Sequence, residues 1–302
     1  MTSPDLSVFG LRFAPFTKEI DDADLWLPES KAAVVSDIEE ALGDRQSVLL
    51  LGEPGVGKTC VLRALRKKLP QSGFRLTYCR NATLGRRDFY RYLCHALGLH
   101  PSATAANLFL AVEAHIHELR RDKVHPVFLL DEAHLLHTDM LAHLHILMNY
   151  EWDSRALLSL VLVGLPELEA SLSRRAHRSL LTRIHHRLLI PPASVEDTAE
   201  YVRYRLAAAG TDRALFPDDA IAALHEASQG ALREIDRLAT AALRDAARRK
   251  KKLVDREVVA RAAEALALRL TDTSSVRAPG GALLMAIPPR STPNADEMAI
   301  GA

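Results

Sequence analysis

The chain has 302 residues, 48% of them hydrophobic and 25% charged, enough for one large globular domain and a smaller one. A formal net charge of +1 excludes a chain-wide attraction to nucleic acid, so any such contact must come from local patches. Its three cysteines, Cys60, Cys79 and Cys94, have neither metal-ligand spacing nor a disulfide framework, which reads as a reduced, cytoplasmic protein with buried thiols.

The N-terminal VFGLRFAPF (8 to 16) is aromatic and punctuated by proline, and predicts an arm packed on the core. Asp5 precedes any basic residue, so no signal peptide is read here. No apolar run reaches the roughly 18 residues of a membrane helix, so no membrane partner is expected. From 47 to 190, short apolar runs alternate with helical patterns, as in an α/β domain with a buried, largely parallel sheet. The expected strands are SVLLLG (47 to 52), FRLTYCR (74 to 80), PVFLLD (126 to 131), LSLVLVG (158 to 164) and RLLI (187 to 190).

At Pro191-Pro192 the pattern turns helical. Ser194 with Asp197 forms a capping box, Gly210 ends that helix, Pro217 opens a second and Gly230 closes it. Two further helices are expected over about 231 to 249 and 255 to 268. The expected organisation is 1–46 as arm and first helix, 47–190 as α/β core, 191–270 as a small helical domain, and 271–302 as a flexible tail. The tail's ALLMAI (282 to 287) offers its only apolar anchoring.

GEPGVGKT, Gly52 to Thr59, matches the phosphate-loop pattern and sits after an apolar strand and before the helical CVLRALRKKL. Glycines let backbone N–H groups converge on phosphate oxygens, the helix N-terminus adds its positive end, Lys58 neutralises β/γ-phosphate charge, and the Thr59 hydroxyl suits Mg²⁺. Gly52, Glu53, Pro54, Gly55, Val56, Gly57, Lys58, Thr59 and Cys60 are therefore the candidate ATP-binding run. In VFLLDEAHLLH (127 to 137) an apolar strand delivers Asp131 to the Mg²⁺ side of the phosphates, and Glu132 toward the γ-phosphate to orient water.

The letters D-E-A-H also name a helicase class, but those helicases need a second large ATPase domain, and only a small helical domain follows residue 190. That layout resembles the AAA+ ATPases, a P-loop core with a parallel five-stranded sheet plus a small α-helical lid; Ala133 and His134 are then neighbours without a role. GALREIDRL (230 to 238) looks like the AAA+ sensor 2 motif, which gives Arg233 a γ-phosphate contact. LLTRIHHRLLIPP (180 to 192) lies where AAA+ proteins carry an arginine finger acting on a neighbouring subunit. The resemblance points first to Arg183, with Arg187 and Arg178 as alternatives, and implies an oligomer.

FGLRFAPF, GEPGVGKT, LLDEAHLL, LHILMNYEWDSRALLSLVLVGLPEL (144 to 168), the TRI box and EYVRYRLAAAG through GALREIDRL together resemble the ExeA/TniB group. This group holds secretion-pathway ATPases and the ATP-binding helper proteins of transposons, with the phage Mu B protein a distant relative. Secretion-type members carry a membrane span and a cell-wall module after the lid; the short polar tail here favours the helpers. That resemblance implies binding of ATP and Mg²⁺, assembly of the protein with itself as a ring or filament on duplex DNA, and recruitment of a DDE-type transposase. The alternative is an ATPase assisting secretion or envelope assembly without DNA. A replication initiator fits less well, because no helix-turn-helix pattern follows the lid.

One position departs from the group. Between Gly164 and Pro166 it usually has a polar residue that resembles sensor 1, and here stands Leu165, which predicts slow hydrolysis. For DNA, Asn81, Thr83, Arg86, Arg87 and Arg91 are candidate phosphate contacts, in a segment the helper family presents to DNA. The run ARRKKK (247 to 252) reads first as a solvated turn. His134, His137, His143 and His145 are not read as a zinc site, because the last two face different sides of a helix.

Overall fold

A computed structural model describes residues 6–80, 84–100, 104–149 and 156–268. The tail and its ALLMAI segment lie outside the described residues, as do Asn81 and Thr83. Five parallel strands, β1 (Ser47–Leu51), β2 (Phe74–Cys79), β3 (His125–Leu130), β4 (Ser159–Gly164) and β5 (Ile184–Leu189), form one sheet in the order β2-β3-β4-β1-β5.

The three inner strands are buried along their whole length, which is why they read as continuous apolar runs. Alternate side chains serve opposite faces. Leu49, Phe128, Leu130, Leu160 and Leu162 pack with α3 (Arg86–Leu97), α4 (Ala105–Arg121) and α5 (Thr138–Leu147). Val48, Leu50, Val127, Leu129, Val161 and Val163 pack with α1 (Glu29–Gly43) and α2 (Lys58–Lys68).

β5 departs from the sequence expectation by starting at Ile184 rather than Arg187. As an edge strand it exposes His185, Arg187 and Leu189, so half of it is polar and escapes an apolar-run reading. β3 likewise begins one residue early, at His125, whose Nε2 lies 2.9 Å from the Ser159 hydroxyl. Burial lowers that imidazole's pKa to about 4. Short helices α6 (Glu167–Leu172) and α7 (Arg178–Leu181) connect β4 to β5.

The lid comprises α8 (Val195–Ala208), α9 (Asp218–Ser228), α10 (Leu232–Arg248) and α11 (Arg256–Ala265). Ser194 and Asp197 form the expected capping box at α8, and Asp255 caps α11 by accepting the Val258 N–H. The lid has its own core, and the N-terminal arm belongs to it rather than to the α/β core. Phe9, Leu11, Phe16 and Trp26 are buried with Tyr201, Leu206, Phe216 and Ile235. Phe16 meets Phe216 edge-on at 6.2 Å between centroids, and Trp26 meets Tyr201 at 5.0 Å. Arg205 secures the arm: buried in the lid, it donates from Nε to the Pro15 carbonyl at 2.8 Å and from Nη2 to the Thr17 carbonyl at 2.9 Å.

Gly230 stands between α9 and α10 and meets the Pro192–Ala193 segment that follows β5. It has φ +72°, its carbonyl accepts the Ala193 N–H at 2.9 Å, and an added Cβ would lie 2.2 Å from the Ala193 carbonyl oxygen. A side chain here adds backbone strain to a collision with backbone. Gly230→Ala is expected to lower unfolding free energy by about 2 kcal/mol; an unchanged urea midpoint would contradict this.

Candidate nucleotide site

β1 ends at Leu51 and α2 begins at Lys58, so residues 52–57 are the turn that joins the strand's C-terminal end to the helix N-terminus. Gly55 and Gly57 have φ +82° and +106°, conformations that side-chain-bearing residues adopt only with strain. They are also crowded by the lid. A Cβ on Gly55 would lie 3.0 Å from the Arg233 Cβ, and one on Gly57 would lie 3.2 Å from both Leu232 Cδ1 and Lys31 Cε. The Arg233 N–H donates to the Gly55 carbonyl at 3.3 Å, so the first turn of α10 is fastened to the phosphate loop.

Lys58 is 8% exposed and donates from Nζ to the Gly52 carbonyl at 2.7 Å and the Glu53 carbonyl at 3.1 Å. Burial pushes this ammonium below the ordinary lysine value, while Glu132 and Asp131 oppose the shift. Thr59 is exposed at the start of α2. Asp131 follows β3 and is buried; its Oδ1 accepts the Glu132 N–H at 2.9 Å, and its Oδ2 accepts the Tyr78 hydroxyl at 2.7 Å. Glu132 has φ +53°, a costly conformation for a residue with a side chain and one that concentrates at functional sites. Its side chain is 49% exposed.

Three residues here escaped sequence reasoning. Tyr78 reaches Asp131 because β2 pairs with β3 in a register that puts Tyr78 beside Leu129; burial and its bond to Asp131 push the phenol above its ordinary value. Lys31, on α1, is brought to Gly57 by tertiary folding alone. His134, expected to be a neighbour without a role, lies against Glu132. Its Nε2 stands 3.5 Å from Glu132 Oε2, and its Nδ1 stands 3.5 Å from the Leu165 backbone nitrogen. The imidazole thus lies between the Glu132 carboxylate and the end of β4, beside the apolar Leu165.

The candidate arginines are dispersed. Arg233 is exposed at the lid–loop junction. Arg183, between α7 and β5, donates from Nη1 to the Ser179 carbonyl at 2.9 Å, Arg187 pairs with Glu169 at 3.3 Å, and Arg178 is exposed. Arg86 and Arg87 stand exposed in the first turn of α3, beyond the C-terminal end of β2, and Arg91 pairs with Asp88 at 3.1 Å. In the basic run of the lid, Arg249 pairs with Asp245 and Lys251 with Asp255. The histidines are spread among other partners: His143 Nδ1 lies 2.9 Å from the Tyr90 hydroxyl, and His137 accepts the Asp139 N–H at 3.3 Å. Among the described residues, no helix is long and apolar enough to cross a membrane.

Residues 40–172 match the AAA domain family. The chain carries an AAA-type ATPase domain. General secretion pathway protein A of Aeromonas hydrophila is 34% identical over 238 residues, covering 78% of this chain and 43% of that protein. The chain therefore spans less than half of that relative's length. Among solved structures, Cdc6p from Pyrobaculum aerophilum matches with a TM-score of 0.63 and 18% identity, over 82% of this chain and 71% of that one. The Aeropyrum pernix ORC1 protein in complex with DNA matches at 0.60 and 20% identity, over 85% and 69%. The Thermotoga maritima RuvB Holliday junction branch migration motor matches at 0.53 and 20%, over 84% and 74%. At these identities the likeness establishes the AAA+ P-loop fold.

The donor set fits a magnesium nucleotide: a glycine turn that side chains would obstruct, a lysine at its end, and hard oxygen donors in Thr59 and Asp131. The apolar side chain of Leu165 offers no hydrogen bond at the position where the sequence leads one to expect a polar residue. Leu165→Gln is expected to raise the steady-state rate of phosphate release several-fold; turnover equal to wild type would show that the position is indifferent.

Proposed function

We propose that this protein is an ATP-hydrolysing switch that assembles with copies of itself on duplex DNA and there recruits and activates a DDE-type transposase. The observation that carries the ATPase part is the grouping of Lys58, Asp131 and Glu132 around a phosphate loop to which the lid, with Arg233, is fastened. Lys58 neutralises charge on the β- and γ-phosphates. Glu132 orients a water and takes its proton as the oxygen adds to the γ-phosphorus; the bridging oxygen leaves with its electron pair on ADP. Thr59 and Asp131 would hold Mg²⁺, which supplies further neutralisation of phosphate charge. Arg233 reads the γ-phosphate from the lid, and Arg183 acts on the site of the next subunit, so turnover depends on assembly.

The DNA part is supported by the exposed Arg86 and Arg87 at the start of α3, and by the chain's resemblance to the transposon helpers. The solved neighbours include proteins described in complex with DNA. A second reading, an ATPase that energises secretion or envelope assembly without DNA, is favoured by the 34% identity to General secretion pathway protein A.

Glu132→Gln is expected to bind ATP while slowing hydrolysis by about 10² to 10⁴. Electron microscopy of this variant with ATP and duplex DNA is then expected to show rings or filaments on the DNA. Monomers indifferent to DNA would reject the transposition reading in favour of the second. ATP-dependent DNA affinity is further expected to fall steeply with salt and to weaken in the double variant Arg86→Ala/Arg87→Ala; salt-independent binding would remove these arginines from the interface.

A further inference from the structure

Among the described residues, Lys31 is a buried cation without a hydrogen-bond partner at its Nζ, and its side chain is 0% exposed. Buried ammonium groups are ordinarily paired or hydrogen-bonded, because desolvation otherwise makes the charge costly. Lys31 also stands in the first turn of α1, where the partial positive charge of the helix end opposes a cation. Burial accordingly pushes its pKa below the usual lysine value, and Asp197 of the lid opposes that shift without hydrogen-bonding to the Lys31 Nζ.

The surroundings say what would satisfy it. The Lys31 Cε lies 3.2 Å from where a Gly57 Cβ would be, beside Leu232 Cδ1, and Cys60 is within electrostatic reach. Gly57 and Cys60 flank the start of α2, and the charges that act on Lys31 are Asp197 and Cys60, whereas Glu132 and Asp131 act on Lys58. Lys31 is thus enclosed by α1, the phosphate loop and the lid, apart from the acidic pair that acts on Lys58.

We propose that Lys31 recognises the nucleoside part of the bound nucleotide, donating from Nζ to an acceptor on the base or sugar. This rests on the nucleotide reading above. The contact makes α1 a third wall of the site and gives a reason to retain an unpaired charge that is unfavourable in the protein alone. A structural lysine predicts the opposite balance, since its removal would cost stability and leave binding unaffected.

Lys31→Met keeps the length of the stem and removes the charge. In the absence of nucleotide its Tm is expected to be equal to or above that of wild type, which also shows that the variant folds. Calorimetric titration is expected to show ATP and ADP bound at least tenfold more weakly than by wild type, with the affinity for inorganic triphosphate unchanged. Unchanged ATP affinity would overturn the proposal. So would an equal loss for ATP and triphosphate, which would move Lys31 to the phosphates. Wild-type protein that binds neither ligand would overturn the nucleotide reading itself, and Lys31's role with it.

Discussion

The structure depends on one seam, the packing of the lid's first turn against the phosphate loop. At Gly55 and Gly57 two requirements coincide: backbone that can turn with positive φ, and no side chain to hold α10 away. The Arg233 N–H on the Gly55 carbonyl then fixes where the lid sits, and Gly230 supplies the turn that lets α10 begin there. The loop and the lid are therefore packed as one unit rather than as separate bodies.

That seam also explains the N-terminal arm. Phe9, Phe16 and Trp26 are built into the lid core, while α1, which follows them, packs on the sheet with α2. The chain thus crosses from lid to core twice, once ahead of α1 and once after β5. Arg205, buried and spent on the carbonyls of Pro15 and Thr17, closes the first crossing. Lys31 lies just past that crossing, at the point where arm, loop and lid converge.

Much of this was legible in the sequence, for identifiable reasons. The inner strands announce themselves because both of their faces are covered, and the phosphate loop and Asp131–Glu132 because strand ends and helix starts carry local signals. The capping box at Ser194 is equally local. What escaped was non-local. Tyr78 reaches Asp131 only through strand register, His134 reaches Glu132 through a turn with a strained residue, and Lys31 meets Gly57 across 26 residues of chain by tertiary packing. β5 extends further than its apolar run suggests because an edge strand need be apolar on one side only. No periodicity in the sequence carries the arm's choice of lid over core.

The central claim is that core and lid form a single nucleotide site in which the lid reads the terminal phosphate. Calorimetric comparison of ATP and ADP binding, in the presence of Mg²⁺, by wild type and Arg233→Ala tests it most directly. The wild type should prefer ATP by about tenfold or more, the scale of one charge-assisted contact, and Arg233→Ala should lose that preference while still binding ADP. An Arg233→Ala protein that keeps the full preference for ATP would contradict the account.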